Sequence, residues 1–166
     1  DAMARELTGN LDGNDLRIGI IVAQFNEMIT SRLLEGARDA LAKHGVREDA
    51  ITIVSVPGSI ELPQAADRMA QSGTYDALVT LGCVIKGETA HFEYVAQEAA
   101  RGISDVARSR GVPVAFGVLT TYTNEQAIAR SGGALGNRGF DSASTAIKMA
   151  NLYRQIDQTT TKELTR

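Results

Sequence analysis

Four short, nearly continuous apolar runs punctuate the chain: 18–23 (IGIIVA), 51–56 (ITIVSV), 77–81 (ALVTL) and 113–119 (PVAFGVL). Runs of this length with few polar positions predict strands covered on both faces, as in a parallel sheet. Between them the apolar spacing turns helical. Ile29, Leu33, Leu34, Ala37, Ala40 and Leu41 form one stripe, ended by Gly45. Ile60, Ala65, Ala66 and Met69 form a second, with Pro63 tolerable only in the first turn. Phe92, Val95, Ala96, Ala99, Ile103 and Val106 form a third. Beyond the fourth run, 124–131 and 140–156 read as helices parted by a glycine-rich joint at 132–136. Strand and helix alternating four times imply right-handed crossovers on both sheet faces. The expected architecture is a three-layer α/β/α sandwich on a four-stranded parallel sheet.

Such an open sheet is similar to the flavodoxin-like arrangement, in which ligands bind beyond the carboxyl ends of the strands. The 166 residues are expected to form one domain, with 1–16 as an N-terminal arm and 158–166 as a polar tail. The opening Asp1-Ala2-Met3-Ala4 reads as a processed end and carries no fold argument. Seventeen Lys and Arg against 20 Asp and Glu leave a net charge of −3 without a basic cluster, which argues against nucleic acid. No apolar run approaches the roughly 20 residues that span a membrane. One cysteine excludes an internal disulfide, and with only two histidines little remains for a structural zinc site. A compact, soluble, cytoplasmic protein is expected.

The carboxyl-end rule selects residues 24–26, 57–61, 82–91 and 120–124, which hold much of the unusual chemistry. Gly87-Glu88-Thr89 precedes a helix, where free N–H groups and the helix dipole suit a phosphate; an ordinary Thr N-cap fits the tripeptide equally well. His91 falls in the first turn of that helix and is placed for proton transfer, although a lone His is more often structural. Glu61 opens another helix and could accept hydrogen bonds from ligand hydroxyls. Phe25 is either a stacking platform for a flat ring or a hydrophobic staple. Phe116 reads as core, Arg130 as a solvated helical residue or a phosphate clamp, Cys83 as a small packed residue and His44 as surface. Neither G-x-x-x-x-G-K-[ST] nor G-x-G-x-x-G occurs. The first strand runs into QFNEMIT rather than a hydroxyl-rich flavin-phosphate loop.

Four segments in order resemble the lumazine synthase family: FNEMIT at 25–30, PGSIELP at 57–63, GCVIKGETAHFEYV at 82–95, and GVLTTYTNEQAIARSGG with GNRG beyond it at 117–139. The likeness covers residues 16 to 156. It implies a cofactor-free condensation of 5-amino-6-(ribitylamino)uracil with 3,4-dihydroxy-2-butanone 4-phosphate, the penultimate step of riboflavin biosynthesis. It also implies roles for individual residues. Phe25 matches the ring-stacking aromatic, and Ser59 and Glu61 match positions that hold the ribityl-aminouracil. Val84 and Ile85 match backbone contacts near the pyrimidine. Glu88 and Thr89 match the phosphate turn, and Arg130 the phosphate-binding arginine. His91 matches the proton-transfer residue and Asp141 the carboxylate that orients it. Asn26, Asn137 and Phe116 match further site positions, Phe116 reaching the site from the next subunit. Gly58, Ile60, Lys86, Gly87 and Arg138 complete the implied binding set.

Three positions depart from the family pattern. Arg138 stands where Lys is usual, Tyr122 where Asp, Glu or Asn is common, and Ala90 where Thr or Pro precedes the histidine. The resemblance further implies pentamers with sites between neighbours. The short joint at 132–139 favours closure of twelve pentamers into a 60-subunit shell, with riboflavin synthase as a possible partner. The same residues would suit a flavin or lumazine carrier or a catalytically lapsed cage, and the fold alone would suit an FMN electron carrier. Substrate turnover separates these alternatives.

Overall fold

The computed structural model describes residues 3–164; the outermost positions of the expected arm and tail, 1–2 and 165–166, lie outside the described residues. Four parallel strands, β1 (Ile18–Ala23), β2 (Ile51–Val56), β3 (Ala77–Ile85) and β4 (Val114–Thr121), form a sheet in the order β2-β1-β3-β4. Five helices accompany it: α1 (Glu27–Lys43), α2 (Leu62–Gln71), α3 (His91–Arg110), α4 (Asn124–Ala129) and α5 (Arg138–Leu164). The flavodoxin-like α/β sandwich expected from the apolar runs is the fold of this chain.

Alternation along β1 sets the two layers of core. Ile18, Ile20 and Val22 face α1 and α5, while Ile21 and Ala23 face α2 and α3. The seam between α1 and α5 is the tighter of the two helix pairings. A Cβ on Gly139 would overlap the Leu33 carbonyl, and one on Gly36 would overlap the Asn137 side chain. Only glycine permits that approach of the two backbones.

Several details differ from the expectation. β2 is an edge strand and is partly open, with Thr52, Ile53 and Ser55 exposed, because it has only β1 as a neighbour. β3 continues four residues past its apolar run, through Gly82 to Ile85. The glycine-rich joint folds as a small antiparallel pair, β5 (Ser131–Gly133) with β6 (Gly136–Asn137). α4 accordingly stops at Ala129, and α5 starts at Arg138.

The two polar ends meet. α5 continues through 158–164, where Thr160 and Thr161 hydroxyls donate back to the Ile156 and Asp157 carbonyls. The arm runs along this helix: Gln155 donates to the Thr8 carbonyl (2.9 Å), and Asn151 to the carbonyls of Asn10 (3.0 Å) and Asp12 (2.9 Å). Arg5 and Glu163 pair at 3.2 Å. Leu16, placed in the coreless arm by its polar neighbours, is fully buried. Among the described residues no helix is long and apolar enough to cross a membrane.

Candidate active site

The strand order changes direction between β1 and β3: the chain leaves β1 for β2 on one side and returns to β3 on the other. That switch opens a crevice at the strands' carboxyl ends. A cleft of about 470 Å³ occupies it, within the range of small-molecule sites.

One wall follows β1. The β1–β2 ladder continues beyond the strands, with the Gln24 N–H on the Val56 carbonyl (2.8 Å) and the Phe25 N–H on the Pro57 carbonyl (3.0 Å). Asn26 turns the chain with φ 61°, a conformation Asn tolerates better than most residues. Its Nδ2 donates to the Cys83 carbonyl at 2.8 Å, tying this turn to the end of β3. With its backbone so held, the Phe25 ring stands 71% exposed at the mouth of the cleft.

The loop after β2 forms a second wall from Pro57, Gly58, Ser59, Ile60 and Glu61. Ser59 is buried against Gly82, where a Cβ would lie 2.5 Å from its hydroxyl oxygen. A glycine inside β3 therefore lets this loop settle on the sheet. Glu61 folds back over Gly58; its Oε1 lies 3.3 Å from where a Gly58 Cβ would stand.

The third wall comes from β3 and the start of α3: Val84, Ile85, Gly87, Thr89 and His91. The N–H groups of Gly87, Glu88, Thr89 and Ala90 donate to no group among the described residues. They leave a row of open donors at the positive end of a 20-residue helix. His91 is the first helical residue, and its N–H makes a long contact (3.4 Å) to the Thr89 hydroxyl. A largely apolar cleft thus sits beside a carboxylate, an imidazole and a turn with open N–H donors.

Pro57 and Cys83, inside the segments that the carboxyl-end rule selects, also line the cleft, as do Phe92 and Val95, which lie beyond those segments. Phe92 and Val95 belong to the stripe of α3 that faces the sheet, and the first turn of that stripe overhangs the crevice. Helix start plus stripe direction is the signal that could have found them. Burial pushes the Cys83 thiol up to about 11, so it is a neutral wall residue.

Other expected site residues lie elsewhere. Phe116, Arg130 and Arg138 line a separate cavity of about 230 Å³ beside β4. Phe116, read from the residues as core, is 41% exposed there. The Arg138 N–H donates to the Arg130 carbonyl at 2.8 Å, closing the β5–β6 hairpin and bringing the two arginines together. Arg130 Nη1 donates to the Gln126 carbonyl (3.1 Å). Asp141 is exposed in the first turn of α5, and no hydrogen bond or ion pair joins it to His91 among the described residues. Lys86 and Glu88 flank the open turn without lining the cleft.

Asn137 makes three hydrogen bonds within its own chain. Its Oδ1 accepts from the Gly139 and Phe140 N–H groups (2.8 and 3.1 Å), capping α5, and its Nδ2 donates to the Arg32 carbonyl at 3.0 Å. Asn immediately before a helical pattern is a capping signal, and here the cap consumes the side chain.

The comparison with known protein families agrees with the geometry. A family model described as 6,7-dimethyl-8-ribityllumazine synthase matches residues 15–154. The matched span takes in every strand of the sheet, the cleft and the arginine cavity. Proteins of this family are transferases of riboflavin biosynthesis that act on small molecules and work as oligomers. The chain belongs to the 6,7-dimethyl-8-ribityllumazine synthase family.

Proposed function

We propose that this chain condenses 5-amino-6-(ribitylamino)uracil with 3,4-dihydroxy-2-butanone 4-phosphate to give 6,7-dimethyl-8-ribityllumazine, phosphate and water. The observation that carries this reading is an exposed flat ring, Phe25, sharing one cleft with Gly87 and Thr89 of a turn whose N–H groups have no partner among the described residues. The pyrimidine stacks on Phe25 beside the Val84 and Ile85 backbone, with its ribityl hydroxyls on Glu61 and the 58–60 loop. The phosphate takes the N–H groups of 87–90. Arg130 and Arg138 offer charge for the same group, Arg130 as a bidentate clamp.

The chemistry needs a substrate array and a proton carrier. The 5-amino group adds to the ketone carbonyl and the adduct loses water to an imine. A proton leaves the adjacent carbon as phosphate departs with the C–O electron pair, and ring closure through the ribityl-bearing nitrogen expels a second water. His91 moves the protons of these steps, and the N–H turn holds the charge that develops on phosphate. Alignment of two substrates in one cleft supplies much of the remaining acceleration.

Phe116, Arg130, Arg138 and Asp141 stand apart from the His91 cleft of their own chain. That separation supports a site completed between neighbours: one subunit gives the cleft, the next gives Phe116. The assembly is a homopentamer closed into a 60-subunit shell, cytoplasmic, with riboflavin synthase as its partner. Sixty chains of 17.7 kDa weigh about 1.1 MDa, so light scattering tests the shell, and a mass one-twelfth as large overturns it.

The decisive experiment mixes both substrates with the protein and follows lumazine by absorbance. Turnover above the spontaneous condensation supports the reading. A rate equal to the spontaneous one overturns it and leaves a ligand carrier.

A further inference from the structure

Tyr122 stands 68% exposed on the loop after β4, outside the cleft and outside the arginine cavity. Its ring is nevertheless engaged twice. The Lys86 ammonium lies 5.7 Å from the ring centroid, within cation–π range. The Phe92 ring lies 6.2 Å away, tilted by 40°, within the range of attractive aromatic pairs. Lys86 and Phe92 are the two ends of the turn that carries the open N–H groups and His91.

The loop beneath the ring is unusually well tied. The Lys86 N–H donates to the Thr121 carbonyl at 2.9 Å. The buried Thr121 hydroxyl donates to the Thr123 carbonyl (2.9 Å), and Thr123 Oγ1 caps α4 through the Gln126 N–H (3.1 Å). The Tyr122 N–H is held by Gln126 Oε1 at 2.9 Å. The turn itself has little of this. Between Lys86 and His91 its N–H groups are unpaired, and a Cβ on Gly87 would meet nothing within 4 Å. A fixed ring therefore bridges the two ends of a turn that cannot fix itself.

We propose that Tyr122 is a positioning residue for the phosphate-bearing substrate. Its ring, set between Lys86 and Phe92, holds the turn that follows Lys86 in the shape that presents its open N–H donors to the phosphate. The inference rests on the reading of that turn as the phosphate subsite. It requires the ring and not the hydroxyl, because both contacts are made through the π face or edge.

The test compares Tyr122→Ala, Tyr122→Leu and Tyr122→Phe in the assembled protein, each checked for folding by circular dichroism. The alanine and leucine variants are expected to raise KM for the butanone phosphate about tenfold. Their kcat and their KM for the pyrimidine should stay within about twofold of the parent, and phenylalanine should restore the parent values. Leucine covers Phe92 without a π face, so it keeps the test alive if alanine fails to fold.

Inorganic phosphate, titrated calorimetrically, gives a second readout that needs no turnover. Its Kd should rise by the same factor in the alanine and leucine variants alone. A parent protein that binds phosphate without turnover refutes the catalytic reading and leaves the clamp standing on the phosphate titration. Unchanged phosphate affinity and KM in the alanine variant overturn the clamp, as does a fall in kcat with both KM values shifted alike. A phenylalanine variant as impaired as alanine overturns it too, and so does a parent protein that neither turns over nor binds phosphate.

Discussion

The turn from Lys86 to His91 and the seam between α1 and α5 are both built from small residues and hydrogen-bonding groups, and they use them oppositely. In the seam, Gly36 and Gly139 remove the last spacing between two helices, and Asn137 spends both ends of its amide on the backbone. In the turn, Gly87 faces open space and four N–H groups have no partner. The seam is finished within the chain, whereas the exposed turn leaves its donors to solvent and, in the proposed function, to the phosphate. Buried polar groups left unpaired are costly, so an unpaired row persists only where solvent or a ligand serves it. The contrast separates residues that hold the fold from residues left open to a ligand, even where their chemistry is alike.

The comparison breaks first at Gly139. A valine there drives its side chain into the Leu33 backbone, and a loss of about 3 kcal/mol or more is expected. Denaturant unfolding or loss of soluble protein reads it, and near-normal stability would show the seam to be loose. His91→Ala sits on the other side of the contrast. Lumazine formation should fall about 100-fold without ceasing, while the unfolding midpoint holds. A large stability loss there would blur the distinction between the two regions.

Asn137→Ala is the sharper control, since the family resemblance alone places this residue with substrate. Loss of its cap is expected to cost about 1 kcal/mol of stability, with kcat and both KM values of the folded protein unchanged. A raised KM would return Asn137 to the site.

The smallest effect lies on the opposite sheet face. The Arg110 guanidinium grips the Asp67 carboxylate with two hydrogen bonds (2.8 and 3.3 Å), joining α3 to α2 and holding the Asp67 pKa below its ordinary 3.8. A lowered folded pKa contributes stability that is present above pH 3.8 and lost as pH falls through the lowered value. Asp67→Asn should therefore destabilise slightly at neutral pH and flatten the acid limb of a melting-temperature profile. The pair is exposed, so the change is small.

The sheet, its direction and the end that carries the site were legible because burial on both faces writes itself as uninterrupted apolar runs. Gly82 ended the third run early: it is small for the sake of Ser59, and a residue chosen for a neighbour carries no strand signal. Ile53 read as core because β-branched residues look alike at a sheet's centre and its edge. Leu16 and the helical 158–164 segment were hidden for a common reason. Leu16 packs into a core gathered from distant elements, and the 158–164 segment pairs with the arm, neither of which local periodicity sees. In the site, Phe25, Glu61 and His91 stood out by chemistry, whereas Phe92 was masked by a helical stripe and the cap that Asn137 makes on α5 went unread.

The clasp between the arm and α5 also fixes an order of events. Thr8, Asn10 and Asp12 precede β1 in the chain, yet their partners Asn151 and Gln155 come some 140 positions later. β1 can pair with β2 and β3 while the chain is still growing, but the arm has nothing to lie against until α5 has emerged from the ribosome. Contacts of such separation form late. The arm is therefore a closing latch, fastened only once α5 is in place, and a chain that stops short of α5 keeps it undone.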